Sequence, residues 1–242
     1  MSLLCRRAPP PEAGSVASPA VTEPHLVRAA YDAIAADYAD HFADELAERP
    51  IDRAFLTAFA ELVRRDAAPA AGPAAERGPL VADVGCGPGL RTAFLQDLGL
   101  TMIGIDLSPE MVAVARQRHP RPRFEVGSML DLPLPTSSVH GLAAMYSLIH
   151  VADEFLPTAV AEFARVLAPG GHTLVVFQTD AETLHLAEAF GKPLGLDYLR
   201  HPVDRIAGLL KTNGITVHTR MLREPDETMT APHAFLLARK QA

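Results

Sequence analysis

The sequence predicts an α/β fold, in which helices cover both faces of a mainly parallel sheet and a helical cap comes first. Two observations carry this prediction. From residue 80 onward, short apolar runs alternate with helical stretches, the pattern of parallel strands joined by crossover helices. The last two apolar runs are separated only by the turn-rich "REPDETMTAP", which is too short for such a helix. These two strands should therefore pair antiparallel, which leaves one reversed strand in the sheet.

The helical cap is expected at residues 25–66. In 25–46 and again in "IDRAFLTAFAELVRR", apolar residues recur at steps of three and four, and Pro50 marks a break between the two helices. Residues 1–24 are expected to be a disordered tail, because their brief apolar stretch precedes two arginines, whereas a signal peptide begins with its basic residues. The Ala-, Pro- and Gly-rich stretch 67–79 is expected to be an exposed connector.

The remaining chain, 80–242, supplies the sheet, and residues 25–242 are expected to form one domain. Seven strands are predicted, at 80–84, 101–106, 123–127, 141–147, 172–178, 215–222 and 234–240. Helices should follow "GCGPG" and "SPEM", occupy "EFLPTAVAEFARVLA" and lie around 203–212. The glycines of "LAPGG" (167–171) are expected to stop a helix before the fifth strand.

Composition narrows the classes of function. A formal net charge of −7 gives no positive field that would draw the chain to nucleic acid or anionic lipid. No stretch approaches the roughly 18 apolar residues needed to span a membrane. The two cysteines, Cys5 and Cys86, lie in the tail and in the glycine loop, so they indicate neither a disulfide framework nor a four-ligand zinc site. We therefore expect a cytoplasmic protein with neither nucleic acid nor membrane as partner, and no clustered ligand set indicates a metal.

The stretch "VADVGCGPGL" (81–90) ends a strand in a glycine turn that opens a helix. The glycines 85, 87 and 89 leave main-chain N–H groups and the positive helix end free to contact a nucleotide-like ligand. Their spacing is G-x-G-x-G rather than the dinucleotide G-x-G-x-x-G, and no phosphate-loop lysine follows. Asp106, about 20 residues later at the tip of the next strand, can accept both hydroxyls of a ribose. Ser108 is predicted to cap the following helix, with Pro109 as its first residue.

The motifs "DVGCGPG", "GIDLSPEM", "LDLPLPTSSV" and "FARVLAPGGH" resemble those of class I S-adenosylmethionine-dependent methyltransferases, and in particular small-molecule enzymes related to the quinone-biosynthesis methyltransferases. The likeness covers about residues 25–240. It implies a Rossmann-like sheet of order 3-2-1-4-5-7-6 with strand 7 antiparallel, and S-adenosylmethionine as the cofactor.

The resemblance also implies roles for individual residues. Gly85, Cys86 and Gly87 would contact the methionine part of the cofactor, and Asp106 would hold the ribose. The residues that would flank the adenine or meet its edge are Leu107, Met111, Ser128 and Met129. Two positions depart from the family pattern, since Ser128 and His140 stand where aspartates are usual. The stretch 180–201 is the part least shared with the family, so we expect it to choose the substrate.

Three further residues have two interpretations each. Tyr31 and Tyr38 resemble the "Y-D-x-x-A-x-x-Y" entry of relatives, where aromatic hydroxyls close over the methionine carboxylate, but plain core packing explains them equally. Asp83 can approach the cofactor's ammonium group, or can be a satisfied carboxylate at the end of a strand. Cys86 is expected to matter for its small size rather than for reactivity.

The resemblance places the acceptor and the sulfonium at the end of the fourth strand, in "MYSLIHV", so Tyr146 and His150 are the candidates for that wall. A phenol or enol acceptor needs a base, and histidine is the usual one near neutral pH. His150 is therefore the candidate base or orienting group, against a histidine that only packs or caps the next helix; Tyr146 can instead be a neighbour of the cofactor. His185 and Tyr198 in the insert can reach a substrate, against a default of exposed surface.

The predicted function is methyl transfer to O, N or C of a small organic metabolite. The fourth strand lacks the Pro-Pro-aromatic and Pro-Cys motifs of DNA methylation. The excess of arginine over lysine, 19 to 3, suggests a GC-rich bacterial genome and makes specialised metabolism plausible. Two alternatives remain: an enzyme that uses the bound sulfonium for cyclisation, decarboxylation or rearrangement, and a catalytically silent regulatory module that senses the cofactor. The oligomeric state is not predicted.

Overall fold

A computed structural model of the chain describes residues 23–67, 78–226 and 229–241. The predicted tail therefore lies outside the described residues up to position 22, as does the connector from 68 to 77. Helix α1 already begins at Pro24, the last residue of the predicted tail, where proline occupies the first helical turn.

The cap contains three helices where the sequence predicts two. They are α1 (Pro24–His41), α2 (Glu45–Glu48) and α3 (Pro50–Asp66). The single predicted helix 25–46 is wrong because the chain leaves the helical conformation at Phe42, whose ring packs on Tyr38 at 4.4 Å. The turn then brings Leu46 into the buried cluster under α3.

The central sheet has seven strands, mostly parallel, as the sequence predicts. They are β1 (Leu80–Val84), β2 (Thr101–Asp106), β3 (Arg123–Val126), β4 (Val139–Met145), β5 (Leu167–Gln178), β8 (Ile215–Arg223) and β9 (His233–Lys240). Their order is β3-β2-β1-β4-β5-β9-β8. β9 pairs antiparallel with both β5 and β8, which confirms the single reversed strand.

The other helices are α4 (Leu90–Asp97), α5 (Pro109–Arg118), α6 (Leu156–Val166) and α7 (Val203–Thr212), with a 3-10 turn at Leu148–His150. Successive strand residues alternate between the two sides of the sheet. One buried cluster joins the sheet to α6 and α7, and another joins its other face to α3 and α4. Both faces are therefore covered, as predicted.

The fifth strand begins earlier than the sequence predicts. Helix α6 ends at Val166 and β5 starts at the next residue, so the glycines of "LAPGG" lie inside the strand and do not stop the helix. The pairing between β4 and β5 shifts register between Val139 and Gly141. Gly170, at φ +76°, adopts a conformation that few side chains tolerate in this irregular stretch.

The stretch 180–201 forms a separate antiparallel hairpin of β6 (Leu184–Ala189) and β7 (Lys192–Tyr198). Leu196 of β7 is fully buried against Val27 and Ala30 of α1. Lys192 donates to Asp37 and to the carbonyl of Ala33 at 2.7 Å each. The hairpin therefore packs against α1 and helps to fix the position of this helix. Among the described residues, no helix has both the length and the apolar character needed to cross a bilayer.

Candidate functional site

A cavity of about 230 Å³ lies at the carboxyl ends of β1, β2 and β4. Residues of α1 and α2 cover it, and residues that follow the three strands form its floor. This edge is where ligands bind in open parallel sheets, because the loops that leave the strands diverge there. Helix α1 is fixed over the cavity by Asp32, which accepts from the hydroxyl of Ser108 at 2.5 Å.

The glycine turn forms the floor of the cavity. Gly85 has φ +73° and Gly87 has φ +52°, and both line the cavity. A Cβ on Gly85 would lie 2.3 Å from the Cβ of Ser147, so this glycine is required by the close approach of the loop to the end of β4. A Cβ on Gly87 would meet no atom within 4 Å. The added carbon would therefore project from the main chain into open space.

Two predicted cofactor residues do not line the cavity. Asp83 is 2% exposed and accepts from the hydroxyl of Thr92 at 2.5 Å, and burial raises its pKa to about 6. Gly89, at φ +85°, precedes α4, and a Cβ there would lie 2.7 Å from the ring of Phe124. In this structure Asp83 is a satisfied strand-end carboxyl that ties β1 to α4, and Gly89 lets the loop pack against β3; a role of either residue at the cofactor stays a prediction.

Asp106 lies at the tip of β2 and lines the cavity. Its two carboxylate oxygens accept from the main-chain N–H groups of Gly87 at 2.8 Å and Ser108 at 2.9 Å. Burial raises the pKa of the carboxyl, while these two hydrogen bonds oppose the rise. Because each carboxylate oxygen accepts about two hydrogen bonds, both oxygens keep capacity for a ligand's hydroxyls.

The predicted adenine residues Leu107, Met111, Ser128 and Met129 all line the cavity. Met111 is held at the start of α5, where its N–H donates to the hydroxyl of Ser108 at 3.0 Å, as the predicted cap requires. The hydroxyl of Ser128 accepts from the N–H of Leu130 at 3.1 Å. Ser128 thereby shapes the turn after β3 and keeps its own hydrogen to donate.

His150 lies in the cavity wall and is hydrogen-bonded to α1, which together with α2 covers the cavity and forms its lid. Its Nδ1 lies 3.3 Å from the carbonyl oxygen of Asp197, which can only accept, so Nδ1 carries the hydrogen. The other nitrogen, Nε2, then accepts from the hydroxyl of Tyr31 at 2.7 Å. Burial lowers the pKa of His150 to about 4, so the ring is neutral near pH 7. A neutral imidazole in a cavity wall can accept a proton.

Residues 81–171 match the family described as a methyltransferase domain. The demethylmenaquinone methyltransferase of Chlorobaculum tepidum is 30% identical over 184 residues, which cover 76% of this chain and 70% of the relative. The chain belongs to the S-adenosylmethionine-dependent methyltransferases. The demethylmenaquinone methyltransferase of Chlorobaculum parvum is 29% identical over 217 residues, or 89% of this chain and 83% of the relative.

A solved structure shares the fold of this methyltransferase. It is the 1,6-didemethyltoxoflavin-N1-methyltransferase of Burkholderia thailandensis, with bound 1,6-didemethyltoxoflavin and S-adenosylhomocysteine. It matches with a TM-score of 0.68 at 22% sequence identity, over 96% of this chain and 94% of that one.

The residues of the methyltransferase fit its cofactor. The space over Gly87 suits a ligand that lies against the main chain. Two buried polar atoms of the cavity wall, the hydroxyl of Ser147 and Nε of Arg91, have no hydrogen-bond partner among the described residues. A buried polar atom without a partner costs about 1–3 kcal/mol, so a polar ligand that reaches these atoms gains affinity.

The two tyrosines of α1 line the cavity of the methyltransferase together, with their rings edge-to-face at 5.9 Å. They share the cavity, but Tyr31 is bonded to His150 rather than left free for a carboxylate. Tyr38 lies near Glu45 and Arg91, whose charges act on its hydroxyl.

Tyr146 lines the cavity, yet its hydroxyl is engaged elsewhere. It donates to Asp52 at 3.1 Å and lies 3.3 Å from Nδ1 of His233, and neither residue lines the cavity. Tyr146 has φ +59°, a conformation that costs a non-glycine residue about 1–3 kcal/mol. Tyr146 thus lies in the cavity wall, while its hydroxyl is tied to buried groups behind that wall, and its role beside the sulfonium stays a prediction.

The two hairpin residues that could reach a substrate, Tyr198 and His185, differ in their exposure. Tyr198 is 3% exposed, and its ring packs on His150 at 5.0 Å, so the default of exposed surface is wrong for this residue. His185 is exposed and pairs with Asp197 at 2.7 Å. Neither side chain lines the cavity.

Sequence reasoning missed Glu45, Arg91 and Ser147, which all line the cavity of the methyltransferase. Arg91 directly follows the glycine turn, and that adjacency was the one available signal. Glu45 and Arg91 are 46 residues apart, and no local pattern connects them.

Proposed function

We propose that this methyltransferase transfers a methyl group to O, N or C of a small organic acceptor, with His150 as the base or orienting group. The observation that carries the proposal is the neutral imidazole of His150 in the wall of the covered cavity, which the glycine turn also lines. S-adenosylmethionine supplies an already activated methyl group. The protein therefore has mainly to hold the acceptor in line and to exclude water.

The adenosine part of the cofactor would be held by Asp106 at the ribose, with Leu107, Met111, Ser128 and Met129 around the adenine. The main chain at Gly85, Cys86 and Gly87 would support the part that carries sulfur. This assignment is supported by the presence of all these residues in the cavity lining and by the remaining acceptor capacity of Asp106.

The acceptor would lie near His150, where Tyr31, Val151 and Phe155 complete a wall of mixed polarity. For a hydroxyl acceptor, Nε2 would take the hydroxyl proton as the acceptor oxygen bonds to the methyl carbon and the bond from that carbon to sulfur breaks. Tyr31 now occupies Nε2, so the acceptor must displace this hydroxyl or transfer its proton through it. In either case the carbonyl of Asp197 keeps the imidazole in the required tautomer.

A small acceptor is favoured over a macromolecule by the cover that α1 and α2 place over the cavity, and nucleic acid is disfavoured by the net charge of −7. We also propose a cytoplasmic location, in keeping with a free, buried Cys86. A place in bacterial specialised metabolism stays a prediction.

The test uses S-adenosylmethionine labelled on the methyl group with a panel of small phenols, enols, amines and carbon acids. Acceptors are first ranked by the thermal shift that they add to protein saturated with S-adenosylhomocysteine, and then by mass spectrometry of the products. Label in a small product supports the proposal. Label found only in added nucleic acid or protein would contradict it, and a converted but unlabelled acceptor would favour an enzyme that uses the sulfonium without methyl transfer.

A further inference from the structure

The cavity contains a guanidinium group whose hydrogen-bonding capacity the fold does not use up. Of the described residues, three arginines line the cavity: Arg28, Arg91 and Arg118. Arg28 is largely exposed, and Arg118 is tied to the carbonyl of Ala39 and to Asp40. Arg91 differs because its side chain is only 19% exposed and its Nε has no partner among the described residues.

Arg91 is held in place from two sides. Its Nη2 donates to Glu45 at 2.9 Å, and its guanidinium lies over the ring of Tyr146, 5.3 Å from the ring centre. Tyr146 is fixed in turn by its hydrogen bond to the fully buried Asp52. The group is therefore positioned in advance, which lowers the entropy cost of binding an anion.

Glu45 lies beside Arg91 and also lines the cavity. Its side chain is 10% exposed, and it pairs with Arg49 at 3.1 Å as well as with Arg91. The cavity thus presents one carboxylate and one guanidinium side by side. Such a pair suits a ligand that carries both charges, because a single anion would be repelled by Glu45 and a single cation by Arg91.

The amino-acid end of the cofactor is such a ligand, with one ammonium and one carboxylate group. The predicted partner of the ammonium, Asp83, lies outside the cavity wall and is satisfied by Thr92. Asp106 lies at the tip of β2, and its proposed partner is the ribose. Glu45 remains as the carboxylate of the wall that can receive the ammonium.

We propose that Arg91 and Glu45 form the subsite for the zwitterionic end of the cofactor, with Arg91 donating to its carboxylate and Glu45 accepting from its ammonium group. Tyr146 is then a positioning residue that holds Arg91 through its ring. This proposal rests on S-adenosylmethionine as the cofactor and is independent of the identity of the acceptor.

The experiment measures dissociation constants by titration calorimetry for three ligands. S-adenosylhomocysteine carries both charged groups, its decarboxylated form carries only the ammonium, and 5′-methylthioadenosine carries neither. For Arg91→Leu we expect S-adenosylhomocysteine to bind roughly 10- to 100-fold more weakly, the loss of a hydrogen bond to a charged group. Binding of the two ligands without a carboxylate should change by less than about threefold.

Three further variants complete the design. Arg220→Leu, which removes an exposed arginine that pairs with Asp204 and does not line the cavity, should leave all three affinities unchanged. Glu45→Gln should weaken S-adenosylhomocysteine and the decarboxylated ligand but not 5′-methylthioadenosine. Arg91→Lys, which keeps the charge opposite Glu45 but loses the planar fork, should give an intermediate loss for S-adenosylhomocysteine.

The outcomes separate the possible failures. If Arg91→Leu weakens all three ligands equally, Arg91 only supports the lid and the proposal is overturned. The proposal is also overturned if S-adenosylhomocysteine binds Arg91→Leu as tightly as the wild type. If none of the three ligands binds the wild type, the use of the cofactor itself fails, and the proposal fails with it.

Discussion

The two glycines that line the cavity floor should respond differently to the same substitution. Alanine at Gly85 or Gly87 must adopt a positive φ, at a cost of about 1–2 kcal/mol for a residue with a side chain. At Gly85 the added carbon would also lie 2.3 Å from the Cβ of Ser147, far inside the ordinary contact distance. Relief of that overlap costs about another 1–3 kcal/mol.

Gly85→Ala should therefore lower the free energy of unfolding by about 2–5 kcal/mol, and Gly87→Ala by only about 1–2 kcal/mol. At roughly 2–4 °C per kcal/mol for a chain of this size, the two melting temperatures should be clearly separated. Gly87→Ala should instead weaken S-adenosylhomocysteine by roughly tenfold or more, equivalent to about 1.4 kcal/mol, since its methyl group enters the space over the main chain.

Urea denaturation of the ligand-free proteins measures the first effect, and titration calorimetry measures the second. The wild type and Gly191→Ala, a glycine at φ +71° on the hairpin with no atom within 4 Å of its added Cβ, serve as controls. Equal destabilisation by the two cavity-floor substitutions, or unchanged ligand affinity in Gly87→Ala, would refute the assignment of open space to Gly87.

The other predictions concern the base, the ribose, the lid and the response to pH. His150→Ala should leave S-adenosylhomocysteine affinity unchanged and slow methyl transfer to a hydroxyl acceptor by roughly 10²- to 10⁴-fold in stopped-time assays, and an unaffected rate would remove it as the base. Asp106→Asn should weaken adenosine-containing ligands by about 1.5–3 kcal/mol in calorimetry, and equal binding would argue against its role at the ribose. Leu196→Ala should cost about 2–5 kcal/mol in thermal denaturation and expose α1 to limited proteolysis, whereas an unchanged digestion pattern would show that the hairpin does not brace the lid. Burial lowers the pKa of both His150 and His233 to about 4. Between about pH 6.5 and 4 the unfolded chain therefore binds more protons than the folded chain. As the pH falls across that window, each imidazole lowers the free energy of unfolding by about 3 kcal/mol. Asp83, whose pKa is raised to about 6, has the opposite effect on the free energy of unfolding between about pH 3.8 and 6. Urea denaturation from pH 7 to 4.5 should therefore show a net decrease in the free energy of unfolding. The variant His233→Asn should make this decrease smaller.

The strands of the sheet could be predicted because their apolar runs are short and separated by helical periods. The reversed strand was predicted from the short connection between the last two apolar runs, only eleven residues (223–233), and the pairing of β8 with β9 confirms it. Ser108 was predictable as a cap for a local reason as well, since its hydroxyl meets the N–H of Met111 three residues later.

The hairpin at 184–198 could not be predicted, and its turn explains why. The two residues between the strands, Phe190 and Gly191, both have positive φ, at 54° and 71°. Turns of this kind usually carry Asn-Gly or Asp-Gly, and a phenylalanine at the first position gives no such signal. Packing of Phe190 on His41, with ring centres 5.5 Å apart, takes the place of the local preference.

The cavity wall was predictable only where it is local in sequence. The glycine turn and Asp106 lie within one strand-turn-helix pattern and its neighbour, and both line the cavity. The pairs Tyr31 with His150 and Glu45 with Arg91 join residues 119 and 46 positions apart. Such pairs depend on how the cap folds over the sheet, and one sequence carries no local signal for that.

The position of the hairpin has a consequence for how this enzyme could diverge. No residue of 184–198 lines the cavity, yet Leu196 and Lys192 set where α1 lies above it. Substitutions in the hairpin can thus move α1 toward or away from the cavity while every residue that lines the cavity stays the same. The substrate range of the enzyme could therefore change through substitutions outside the cavity wall, while the residues that bind the nucleoside stay the same.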